Sequence, residues 1–84
     1  MSRDKEQQII RKFGEAQQAK LDQRSAKGRL GWKEKDLEEL LKWLKDEFAE
    51  LEQAITSEPM ENIKLEAVDV ANLAMMIWNK VDEE

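Results

Sequence analysis

Cysteine and histidine are both absent from this sequence. Without cysteine there are no disulfides and no thiolate zinc site, and without histidine the commonest zinc ligand and the commonest general base are gone. Any metal chemistry must therefore use hard oxygen ligands, and no protease triad can be assembled. Chain breakers are scarce as well, with three Gly and one Pro in 84 residues, which favours helices. No GxGxxG or Walker-type loop is present to cradle a phosphate. No window approaches the roughly 20 apolar residues of a membrane span, and Met1 to Glu6 has no apolar signal core. A cytoplasmic protein with no membrane partner is expected. The net charge of −5 argues against nucleic acid as a partner of the whole surface.

What is present is 40% hydrophobic and 39% charged residues, the balance of a helical globular protein. At this length residues 1–84 form one small domain that buries only about 60% of its unfolded surface, so its core is marginal alone. Association into a homodimer or homotetramer is the expected supplement, with Met75, Met76 or Trp78 in the interface.

The hydrophobic period predicts an all-α, compact bundle of about three helices. The first covers 4–23, carrying Ile9, Ile10, Phe13, Ala16 and Leu21 at helical spacing. Ser25, Gly28 and Gly31 break the pattern, and 24–33 reads as a basic loop in which Trp32 either anchors the core or stacks on a ligand. The second helix covers 34–55. Its Leu37, Leu40, Leu41, Leu44, Phe48, Leu51 and Ile55 share an arc of roughly 100° that reads as core. Thr56-Ser57-Glu58-Pro59 interrupts the chain, with Ser57 or Glu58 as the expected cap of a third helix over 58–81 and Pro59 in its first turn.

That third helix holds the most informative stretch. From Ala67 to Trp78 it is apolar almost throughout, yet Glu66, Asp69 and Asn72 step along one side at one residue per turn. A helix apolar nearly all round is buried, and buried carboxylates require a compensating cation or hydrogen-bond donors. A metal ion could supply the charge, as could a Lys or Arg from a partner chain. On the second helix Glu47 and Glu50, also a turn apart, flank the core arc, whereas Asp46 projects opposite it. The short connection makes the two helices neighbours, so four carboxylates can converge on one space. Oxygen-only ligation suits Mg²⁺ or Mn²⁺.

Asp46-Glu47-Phe48-Ala49-Glu50 followed by Glu66-Ala67-Val68-Asp69 resembles the EExxE and ExxD signature of the MazG-like nucleotide pyrophosphohydrolases, with Asp in place of the first Glu. The resemblance extends through Gly31-Trp32, Glu50-Leu51, Ala54-Ile55 and Asp69-Val70-Ala71-Asn72, about the last two thirds of the chain. It implies Mg²⁺-dependent hydrolysis of a (d)NTP to the monophosphate and pyrophosphate, by water attacking the α-phosphorus. Glu47, Glu50, Glu66 and Asp69 match the metal-binding positions, with Glu47 or Glu50 also accepting a proton. Asn72 matches a substrate position, and Trp32, Lys27 and Lys33 are candidates for base and phosphate contacts. The alternative is a non-catalytic helical oligomer that binds a protein partner through its acidic face.

Overall fold

The Leu-rich helix begins where an aspartate can cap it. In the structure, a computed structural model that describes residues 3–26, 31–57 and 59–83, the Asp36 carboxylate accepts the Glu39 backbone N–H at 2.9 Å. The Asp36 carbonyl accepts the Leu40 N–H at 3.0 Å, starting the helical ladder. The elements in order are α1 (Arg3–Ala26), a 3-10 turn (Gly31–Glu34), α2 (Leu37–Ser57) and α3 (Met60–Asp82). The expected all-α bundle of three helices is therefore what the chain forms, with no strand among the described residues. None of the helices there is long and apolar enough to cross a membrane. Replacing Asp36 by Ala should cost about 1 kcal/mol by leaving an N-terminal N–H without its acceptor. For a domain of this size that lowers the melting temperature by about 4–8 °C, readable by circular dichroism.

The ends of the elements differ from the expected ones. Helix α1 runs on through Arg24 and Ser25 to Ala26 rather than stopping at residue 23, and the chain tightens at Gly31 into the 3-10 turn, closed by the Lys35 N–H on the Trp32 carbonyl at 3.2 Å. Helix α2 starts at Leu37, not residue 34, and continues to Ser57. The Ser57 hydroxyl does not cap α3; it donates back to the Gln53 carbonyl at 2.8 Å. Pro59 itself occupies the N-cap with no side-chain cap, and its carbonyl accepts the Asn62 N–H at 3.0 Å. Glu58 lies outside the described residues.

Helix α3 is the centre of the bundle, with α2 packed along it and α1 and the 3-10 turn resting on it. Leu40, Leu73 and Met76 are fully enclosed, and Leu21, Trp32, Trp43, Leu44, Met75 and Ile77 pack around them. Each enclosed side chain contributes about 2 kcal/mol of apolar burial. Met76 therefore belongs to the intrachain core rather than to an interface between copies, whereas Trp78 is 67% exposed.

The α2 arc is split. Leu40 and Ala54 are buried and Leu44 and Leu51 half-buried, but Leu37, Leu41, Phe48 and Ile55 are exposed. At about 100° per residue, the face covered by α3 is turned about 60° from the centre of the apolar arc, toward Glu47 and Ala54. A single packed neighbour covers only part of so broad an arc. The rotation puts Glu47 in the middle of the α2–α3 contact face rather than on its flank.

Candidate metal centre

Because Glu66 and Asp69 are one turn apart on α3 and Glu47 faces them from α2, the three carboxylates converge. One oxygen from each lies within 4.8 Å of the other two. Glu47 and Glu66 each bury an oxygen, Oε2, that has no hydrogen-bond partner. An unsatisfied buried acceptor costs about 1–3 kcal/mol, more when charged, so two on one cluster mark a place for a donor or a cation. The fourth carboxylate, Glu50, is exposed at the edge, close enough to Glu47 and Glu66 to raise both.

Crowding sets the electrostatics. Burial pushes the Glu47 carboxyl up to about 7, helped by the hydrogen bond with Glu50 and the charges of Asp69, Glu50 and Glu66. Glu66 is raised too, by burial first, then by the charge of Glu50, its hydrogen bond and the charge of Asp69, while Lys20 acts in the opposite sense. Protons on carboxyls that would ordinarily be ionised are one way to relieve this repulsion; a divalent cation is the other. Three convergent carboxylates, two of them with an orphaned oxygen, on helices that hold their spacing fit a hard cation such as Mg²⁺ or Mn²⁺, which would keep waters in its remaining positions.

The compensating charge sought on a metal or partner chain is found in part on this chain. The Lys20 Nζ of α1 lies 3.3 Å from Asp69 Oδ1, the two side chains being only 24% and 19% exposed. One helical turn on, Arg24 stands over the Trp43 ring, 5.8 Å from its centroid. Arg24, Trp43, Asp46, Glu47, Glu50 and Leu73 line a cavity of about 260 Å³. The sequence pattern puts Lys20 within the first helix and Arg24 in the basic loop that follows it. Because α1 continues, their i, i+4 spacing puts both on one face, in phase with Gln17. Asp46, although exposed, borders this cavity rather than pointing away from it, because the covered face of α2 is rotated toward Trp43 and Glu50.

The remaining expected site residues divide. Asn72 is 2% exposed, and its Nδ2 donates to the Gln17 carbonyl at 3.4 Å, joining α3 to α1, while its Oδ1 has no partner. Trp32 is half-buried against the core cluster, the anchor of its two readings. Lys33 holds its Nζ 5.7 Å from the Trp32 ring centroid, and its carbonyl accepts Lys80 Nζ at 3.2 Å. Neither Trp32 nor Lys33 lines the carboxylate cavity as described. Lys27 lies outside the described residues.

Over 50 residues, 60% of this chain, the sequence is 40% identical to an uncharacterized protein of Archaeoglobus fulgidus, of which the match covers 54%. The chain thus spans about half the length of that curated relative. No family model matches the chain. No solved structure matches it either.

Proposed function

We propose that the protein is a divalent-metal-dependent nucleoside triphosphate pyrophosphohydrolase that releases pyrophosphate and a (d)NMP. The observation that carries this reading is the convergence of Glu47, Glu66 and Asp69 within 4.8 Å, with orphaned oxygens on two of them. Its reaction type is drawn from the resemblance of these same positions to the MazG-like signature. Glu66 and Asp69 from α3 and Glu47 from α2 would hold the cation, the packing of α3 against α2 setting their spacing. When bound, Mg²⁺ supplies charge neutralisation at the phosphoryl oxygens and a more acidic water. Glu50, outside the tight triad but lining the same cavity as Glu47, is the carboxylate left to take a proton at the cavity edge. Exposed Leu41, Phe48, Ile55 and Trp78 support a homodimer or homotetramer, since their burial would add to a small core.

Incubation with a panel of canonical and modified nucleotides in Mg²⁺, followed by product separation, tests the assignment. The expected products are a monophosphate and pyrophosphate with no diphosphate intermediate. Diphosphate with phosphate, or no hydrolysis in Mg²⁺ or Mn²⁺, removes the enzymatic reading and leaves the acidic face as a protein-binding surface.

A further inference from the structure

Two cations face the carboxylate cluster, and they are placed differently. Lys20 is paired with Asp69. Arg24 borders the same cavity as Glu47 and Glu50, yet among the described residues it pairs with no carboxylate, and its buried Nε has no hydrogen-bond partner. Its guanidinium carbon instead lies 5.8 Å from the Trp43 ring centroid, a cation–π contact that leaves the N–H donors unspent. Both residues are half-buried and sit one turn apart on α1, so they form one wall opposite the acids of α2 and α3.

We propose that Lys20 and Arg24 are the phosphate-binding wall of this site, and that Lys20 is an exchangeable counter-ion held by Asp69 until a divalent cation replaces it. The inference rests on the metal-site reading above. A polyphosphate carries several negative charges and cannot approach four carboxylates without cations between them. A metal ion at Glu47, Glu66 and Asp69 neutralises the acids and displaces the Lys20 ammonium from Asp69. The freed ammonium then lies beside the unspent guanidinium of Arg24, and a planar fork with an adjacent point charge suits a diphosphate group. Metal and phosphate binding are thereby coupled: the ion releases the lysine that the phosphate takes up, and each strengthens the other by the same factor.

The test uses the full chain and two calorimetric titrations. In the first, Mn²⁺ is titrated into metal-free protein. In the second, pyrophosphate saturated with Mg²⁺ is titrated into protein in excess Mg²⁺. Lys20→Met is expected to tighten Mn²⁺ binding, since a competing cation is gone, and to weaken pyrophosphate binding about tenfold or more. Arg24→Met should leave Mn²⁺ affinity near that of the wild type and weaken pyrophosphate by a similar factor. Lys20→Arg and Arg24→Lys, which keep the charge, should recover part of the loss. Should Lys20→Met fail to fold without metal, as circular dichroism would show, the Arg24 pair and Lys20→Arg carry the measurement. Wild-type protein that takes up Mn²⁺ while both Met variants bind pyrophosphate normally overturns this inference and leaves the metal site standing. Weaker Mn²⁺ binding by Lys20→Met overturns the exchange. No Mn²⁺ uptake by the wild type overturns the metal reading and this inference together.

Discussion

Glu66→Gln, assayed for pyrophosphate release from the preferred triphosphate in saturating Mg²⁺, should turn over about 100-fold or more slowly than the wild type. The amide retains the size and helix propensity of the carboxylate, so the α2–α3 packing is preserved. What it loses is one of three charged oxygens that converge within 4.8 Å. A metal held by Glu47 and Asp69 alone is both weaker bound and free to shift, and a displacement of a fraction of an ångström at a phosphoryl centre is costly in rate. Asp69→Asn should behave similarly, and in metal-free protein it also loses the Lys20 ion pair. Lys42→Ala, at an exposed position on α2, is the control and should keep wild-type turnover. Turnover by Glu66→Gln within a few-fold of the wild type would place the chemistry elsewhere on the molecule.

The second large effect is an inversion of the pH dependence of stability by metal. Glu47 is raised from 4.5 to about 7 in the folded protein, so between those values the native state binds more protons than the unfolded chain. Stability of the metal-free protein must then fall as pH rises across this window, and Glu66 acts in the same direction. Allowing for solvent around a half-buried group, the loss from pH 5.5 to 8 should be about 1 to 2 kcal/mol. With Mn²⁺ the sign reverses, because the ion binds the ionised carboxylates of the native state. At a hundredfold excess over its dissociation constant it adds about 2.7 kcal/mol. Thermal melts at the two pH values, in chelator and in Mn²⁺, should give curves that cross. Glu47→Gln should be more stable than the wild type in chelator at pH 8 and gain little from Mn²⁺. A metal-free protein that becomes more stable toward pH 8 would show that these carboxyls are fully compensated by cations of the fold.

The charge balance at Asp69 depends on its neighbours. Taken with Glu66 alone, it is one of two carboxylates repelling each other inside an apolar helix, and neutralising it would relieve strain. Lys20 at 3.3 Å changes that balance, which is why Glu47, with no cation against it among the described residues, is the better position at which to expect stabilisation on neutralisation.

Several features followed from the residues in order. The period of apolar positions, the scarcity of Gly and Pro and the break at Pro59 are local properties, and they were enough for three helices with α2 returning directly into α3. The Glu66, Asp69 and Asn72 stripe was equally legible, because a 3.6-residue repeat places those side chains on one side whatever the rest of the chain does. The proximity of Glu47 to that stripe needed only the short connection. Tertiary structure decided what depends on which surface meets which. The apolar arc of α2 is wider than one helix can cover, so the sequence could not say that Leu40 would be enclosed while Leu41 and Phe48 face outward. Met76 and Trp78, two positions apart, differ in the same way, one sealed in the core and one exposed. The cations of α1 were hidden for a different reason. Ser25 is a weak local stop, and whether a helix runs past such a stop depends on contacts its last turn makes elsewhere. Here Arg24 lies over Trp43 and Lys20 against Asp69, contacts between residues far apart in sequence that no local pattern encodes.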